Sequence, residues 1–144
     1  MVRYIATMKD GMYGNEIIEF PHVKLRKSTG SLSIGVSSEY GTESIISVRS
    51  GYDYMVPMAI KLTIGGTFAT DETVTVRITV YFDDGSSAYL DKSYTATGTE
   101  TVSVDELAPL YADGKNITSV GLKAASNQSS TDVTVDYEYY GIEF

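Results

Sequence analysis

Along residues 74–82 apolar and polar side chains alternate without a break, with Val74, Val76, Ile78, Val80 and Phe82 on one side and Thr75, Arg77, Thr79 and Tyr81 on the other. A two-residue repeat of this kind marks a strand with one buried face. Residues 56–64 carry the same signature, and there Val56, Met58, Ile60, Leu62 and Ile64 form the expected buried face. Near the end of the chain Val133, Val135, Tyr137 and Tyr139 alternate with Asp132, Thr134, Asp136, Glu138 and Tyr140, which predicts a strand whose outer face is acidic and wet.

Turn signals separate these runs. Asp83-Asp84-Gly85-Ser86 lies between two alternating segments and predicts a hairpin into a strand over 88–94. Further strands are expected near 2–8, 16–27, 31–37, 44–50, 99–104 and 116–124, with Gly65-Gly66 closing one strand and Pro21 interrupting or edging another. The one helical suggestion covers 104–111, where Ser103 or Asp105 can cap and Asp113-Gly114 terminates, leaving room for a turn or two. So many short strands with turns between them predict an all-β, antiparallel two-sheet sandwich of about 8–10 strands, filling 1–144 as a single domain.

Composition narrows the function classes. There is no cysteine, so disulfides, thiolate metal sites and a cysteine nucleophile are all excluded. The formal net charge of −8 argues against a general affinity for nucleic acid or for anionic membrane. That charge is uneven, because residues 1–30 carry Arg3, Lys9, Lys24, Arg26 and Lys27 against Asp10, Glu16 and Glu19, a local +2 that leaves −10 elsewhere. An N-terminal region of opposite sign is suited to docking on the acidic body of a neighbouring copy. Thr7, Lys9 and Asp10 break the first apolar run too early for a secretory leader, and no stretch has the length of a membrane span.

Candidate chemistry is sparse. A Ser-His-Asp triad needs a histidine base, and the single histidine, His22, sits between Pro21 and Val23 with no Gly-x-Ser-x-Gly elbow in the chain. One histidine without cysteine cannot furnish an ordinary zinc site. The carboxylate pairs Asp71-Glu72, Asp83-Asp84 and Asp105-Glu106 fall in turns or at a helix start, where local capping accounts for them, and Asp136 with Glu138 lies on a wet strand face. No cofactor is implied, although Asp53, Asp83 or Asp132 could lend loop oxygens to a structural calcium. Asn116-Ile117-Thr118 and Asn127-Gln128-Ser129 have the form of glycan acceptors, a form that arises easily by accident in a Ser/Thr-rich chain. The twelve tyrosines suit the filling and edging of sheets, a subunit interface, or a platform for sugars.

The running order of the C-terminal third is a strand, a short Leu-Ala-Pro-Leu helical turn, the Lys115–Lys123 strand, a polar loop and the Asp132–Tyr140 strand. It resembles jelly-roll modules, both the small β-sandwich proteins of virus particles, of capsid or decoration type, and carbohydrate-binding modules. The first resemblance implies a non-enzymatic virion structural protein, a minor capsid, vertex or decoration protein assembled in the host cytoplasm, with copies of itself and other capsid proteins as partners. The second implies a carbohydrate- or receptor-binding module with a glycan as ligand. For subunit contact the expected residues are Arg3, Lys24, Arg26 and Lys27, with Tyr139, Tyr140 and Phe144 as apolar anchors.

Overall fold

The computed structural model describes residues 5–10, 14–19 and 23–144, with side chains from residue 23 onward. Its elements are β1 (Ile5–Asp10), β2 (Gly14–Glu19), β3 (Lys24–Leu32), β4 (Ile34–Gly35), β5 (Ser44–Ser47), β6 (Met55–Thr67), β7 (Val74–Phe82), β8 (Ser87–Tyr94), β9 (Gly98–Ser103), α1 (Val104–Leu107), a 3-10 turn over Ala108–Leu110, β10 (Ile117–Ser126) and β11 (Asp132–Glu143). The all-β expectation holds, and so does the short helical segment. Arg3, Pro21 and His22 lie outside the described residues.

β1 and β2 pair antiparallel with each other. The other strands form two sheets. Sheet one has the order β3-β11-β6-β9. In sheet two β10 lies between β7 and an interrupted edge made of β5 and β4, and β8 flanks β7. A single residue pair, Met55 with Ile117, joins the sheets at one corner. Apart from the β4–β5 connection and the β7–β8 hairpin, which stay in sheet two, every connection from β3 onward carries the chain from one sheet to the other, and the last two strands insert between earlier ones, β11 between β3 and β6, β10 between β5 and β7. This is the strand order of a jelly roll.

The inner faces of both sheets meet in one continuous apolar cluster. Ile60, Leu62 and Ile64 of β6, Val76, Ile78 and Val80 of β7, Val120 and Leu122 of β10, and Val135 and Tyr139 of β11 are all buried there. Each such side chain contributes roughly 1.5–3 kcal/mol through loss of contact with water. The hairpin from β7 to β8 turns at Gly85, with the Gly85 N–H donating to the Phe82 carbonyl at 3.0 Å.

Three local expectations are corrected by the structure. The alternation in β6 is not continuous, because the register with β11 shifts between Tyr140, opposite Ala59, and Gly141, opposite Pro57. Met58 is the extra residue of a β-bulge, which switches the inward set to Met55 and Pro57 before it and Ile60 onward after it, so Val56 and Met58 do not line the core. Residues 28–30, which fall between the strands expected at 16–27 and 31–37, lie instead inside β3. Gly30 there faces Tyr137, whose ring covers the place where a side chain would stand, a Cβ at Gly30 falling 2.7 Å from the Tyr137 hydroxyl. Finally, β6 runs on through Gly65 and Gly66 to Thr67, and Gly66 adopts φ +78° where the Asp132 carbonyl passes close by.

Candidate interaction site

Three clusters of polar and aromatic side chains stand out. The first closes one end of the sandwich. The inward alternation of β11 continues past Tyr139 through Gly141 to Glu143, which places the Glu143 side chain fully out of solvent. Its Oε1 accepts from Arg26 Nη1 of β3 at 2.7 Å, and its Oε2 accepts from Arg49 Nε, just after β5, at 2.7 Å. Arg26 Nη1 also donates to the Ser47 carbonyl of β5. The triad thus ties the β3 side of sheet one to the β5 edge of sheet two. Burial alone would raise the Glu143 pKa, but the hydrogen bonds and charges of Arg26 and Arg49 outweigh it and hold the carboxyl below its ordinary value.

The second cluster is the outer face of sheet one at that same end. Strand register sets Leu25, Ile142 and Val56 side by side across β3, β11 and β6, and the next row holds Lys27, Tyr140 and Ala59. Leu25 is 78% exposed, and Val23, Met58, Tyr140 and Phe144 are also exposed. The ammonium of Lys27 lies 5.6 Å from the centre of the Tyr140 ring. Among the described residues β3 is paired on one side only, to β11, so this apolar row ends at an open strand edge.

The third cluster covers the outer face of sheet two. Register here produces the rows Ala125-Thr75-Ser93, Lys123-Arg77-Asp91 and Gly121-Thr79-Tyr89 across β10, β7 and β8. Arg77 donates to both oxygens of Asp91, at 2.8 and 3.0 Å. Its guanidinium carbon is 3.8 Å from the Tyr89 ring centre and 4.9 Å from that of Tyr40, and Lys123 Nζ is 5.0 Å from the same Tyr40 ring. Glu43 lies over Gly121, accepts the Tyr81 hydroxyl at 2.5 Å and faces Lys123 Nζ at 3.8 Å. Burial first, and then the bond to Glu43, push the Tyr81 pKa up to about 12.

Two of the solved structures that hold a similar chain are of viral origin. A chain of desmodium yellow mottle tymovirus is 13% identical over 94% of this chain and 94% of its own, with a TM-score of 0.44. VP2 of the infectious bursal disease virus subviral particle is 10% identical over 95% of this chain and 37% of its own, with a TM-score of 0.35. No protein-family model matches the sequence, and no curated protein does. At these identities the likeness is one of backbone course.

The residues singled out from sequence are divided among these clusters. Arg26 is engaged within the chain by Glu143, and Lys24 is half-buried opposite Glu143 in the register of β3 with β11. Tyr139 is fully buried, and burial raises its hydroxyl pKa well above the ordinary value. Lys27 and Tyr140 share the exposed outer face of sheet one, while Phe144 packs edge-on against Tyr54 at 6.0 Å and keeps 41% of its surface exposed. Sequence reasoning missed Glu143, Arg49, Leu25 and the Tyr40-Arg77-Tyr89 stack. The signal for Glu143 was there, since counting the inward alternation two steps past Tyr139 reaches it.

The remaining motifs are taken up locally. Asp136 accepts from Ser31 at 2.5 Å and Glu138 from Tyr140 at 2.9 Å. Among the described residues, Asp53, Asp83 and Asp132 belong to no group of three or more potential metal ligands. The side-chain amides of Asn116 and Asn127 donate to Asp83 at 3.3 Å and to the Asp71 carbonyl at 3.0 Å.

Proposed function

We propose that the chain is a non-enzymatic structural subunit of a virus particle, a minor capsid, vertex or decoration protein, that works by associating with copies of itself and with other capsid proteins in the virion. The observation that carries this reading is the row Leu25-Ile142-Val56 with Tyr140 beside it, an apolar surface on one face of a jelly-roll sheet that runs out to the edge of β3 left unpaired among the described residues. Apolar surface at an open strand edge is a hazard for a chain that stays alone and a contact surface for one that assembles. The jelly roll itself is shared by capsid subunits and lectin-like domains, so the argument for assembly rests on this surface and not on the fold.

In this reading a second copy covers the outer face of sheet one, with Lys27 meeting acidic surface of the neighbour, Lys24 reaching it from the half-buried end of the strand, and Tyr140 and Phe144 serving as anchors. Arg26 and Tyr139 act from inside, holding β3 and β11 in the geometry that presents the row. Contacts that are modest singly become strong when symmetry repeats them.

Electron microscopy of the concentrated chain tests this directly. Rings, clusters or closed particles of uniform size are expected; a field of single small particles under every salt condition would contradict the proposal.

A further inference from the structure

The geometry points to a second site, a saccharide-binding cleft on the outer face of sheet two. The row Ala125-Thr75-Ser93 consists of small side chains, whereas the neighbouring row Lys123-Arg77-Asp91 and the loop bearing Ser38 and Tyr40 rise beside it. The difference in height leaves an open cleft of about 360 Å³, with Asn127 at its end. That volume falls within the range of small-molecule sites, roughly 300–1,000 Å³.

The cleft holds its polar groups in fixed positions. Asp91 takes two bonds from Arg77, and a carboxylate has about four acceptor positions, so lone pairs remain for a ligand. The Asn127 carbonyl accepts the Thr73 N–H at 2.9 Å and its amide donates to the Asp71 carbonyl at 3.0 Å, which orients the amide and leaves its second hydrogen available. The hydroxyls of Thr75 and Ser93 lie 3.1 Å apart on the floor. Tyr40 supplies an aromatic wall that Arg77 and Lys123 hold in place.

An aromatic wall beside a fixed carboxylate, a fixed amide donor and hydroxyls that both give and accept is what a pyranose ring needs. Its C–H face packs on the ring and its vicinal hydroxyls pair with the rest. An apolar ligand would strand these polar groups, and Asp91 disfavours an anion. A neutral or N-acylated monosaccharide at the end of a glycan is therefore the ligand class. The cleft is open and shallow, so affinity per site is low and repetition strengthens it. The cleft and its ligand class do not depend on the chain assembling.

The test begins with a printed array of defined glycans and continues with the methyl glycoside of the sugar retained, titrated by NMR. Amide shifts concentrated at Thr75, Ser93 and Asn127 are expected. Ser93→Trp fills the cleft and should weaken binding about tenfold or more, a loss of at least ~1.4 kcal/mol. Thr75→Val, which keeps the shape and removes one hydroxyl, should weaken it less while leaving the melting midpoint in place. Retention of no glycan, or shifts that map elsewhere or survive both substitutions, would overturn the proposal. A monovalent sugar reads this site whatever the state of association, so its failure and the failure of the assembly reading are told apart.

Discussion

The outer faces of the two sheets are built to opposite plans. Sheet one ends in an apolar row, Leu25-Ile142-Val56, in which Leu25 is exposed and Ile142 and Val56 are half-buried, next to a strand edge that is unpaired among the described residues. Sheet two carries the opposite kind of surface, a lattice in which Arg77 pairs with Asp91 and stacks on Tyr89 while Lys123 and Glu43 complete the network. A face whose polar groups are already paired has little to gain from being covered by protein, whereas an apolar row does. The difference is why the proposed protein contact falls on sheet one and the proposed small polar ligand on sheet two.

The supports differ too, and the largest expected effect comes from there. The sheet-one face rests on an edge strand that the Arg26-Glu143-Arg49 triad holds to sheet two. Replacing Glu143 with Ala leaves Arg26 uncompensated in a largely buried position and should cost about 3–5 kcal/mol in urea unfolding, as expected when one partner of a buried pair is removed. Amide exchange in β3 should accelerate before that in β7. A loss under ~1 kcal/mol would mean that the edge is held by its ladder of backbone bonds alone.

Next in size is Leu25→Lys, which places a charge in the middle of the apolar row. Removing one interfacial leucine of roughly 1.5–3 kcal/mol should raise the dissociation constant by about 10- to 100-fold, and the melting temperature should barely move because the side chain is exposed in the single chain. Equal loss of stability and association would blur the two roles.

Acidification sharpens the contrast through two buried carboxylates. Glu143 is held below its ordinary pKa by Arg26 and Arg49. Glu72 is likewise lowered, first by the Ala69 N–H and then by Ser126 and Thr131, bonds that pin the loop after β6 to the loop after β10. Stabilisation from a lowered carboxyl is fully present above the unfolded value, about 4.3, and disappears as pH falls through the lower folded value. Thermal midpoints should hold from neutrality to about pH 5 and then drop, and Glu143→Gln should flatten part of that drop.

The smallest effect belongs to the exposed lattice. Arg77→Ala removes a partly exposed ion pair and its contacts with Tyr40 and Tyr89, and should cost about 1 kcal/mol in denaturant unfolding. A loss of several kcal/mol would show that this face is structural support instead of a presented surface.

Much of the fold could be read from alternation alone, because β7 and β11 each bury one face of an unbroken period-two run. The exceptions have local causes. At β6 a single extra residue, Met58, reverses the face, and nothing in the run Val56–Ile64 marks the bulge apart from Pro57. At residues 28–30 a Ser-Thr-Gly stretch between two expected strands stays extended because Tyr137 from the neighbouring strand fills the space above Gly30, a contact between residues more than a hundred positions apart. The basic residues Lys24, Arg26 and Lys27 of β3 were visible, but the inward partner of Arg26 was not, since Glu143 reads as one more acid near the chain end until the alternation of β11 is counted through it. The sheet-two lattice unites the loop residues Tyr40 and Glu43 with three strands, and only the jelly-roll pairing brings them together.

The most direct test of the central claim is the solution mass of the chain and of its Leu25→Lys variant, by light scattering across a concentration series. The account predicts a defined multimer for the parent chain and a mass shifted toward a single chain for the variant at unchanged melting temperature. A parent chain that remains single at every concentration, or a variant that assembles equally well, would contradict it.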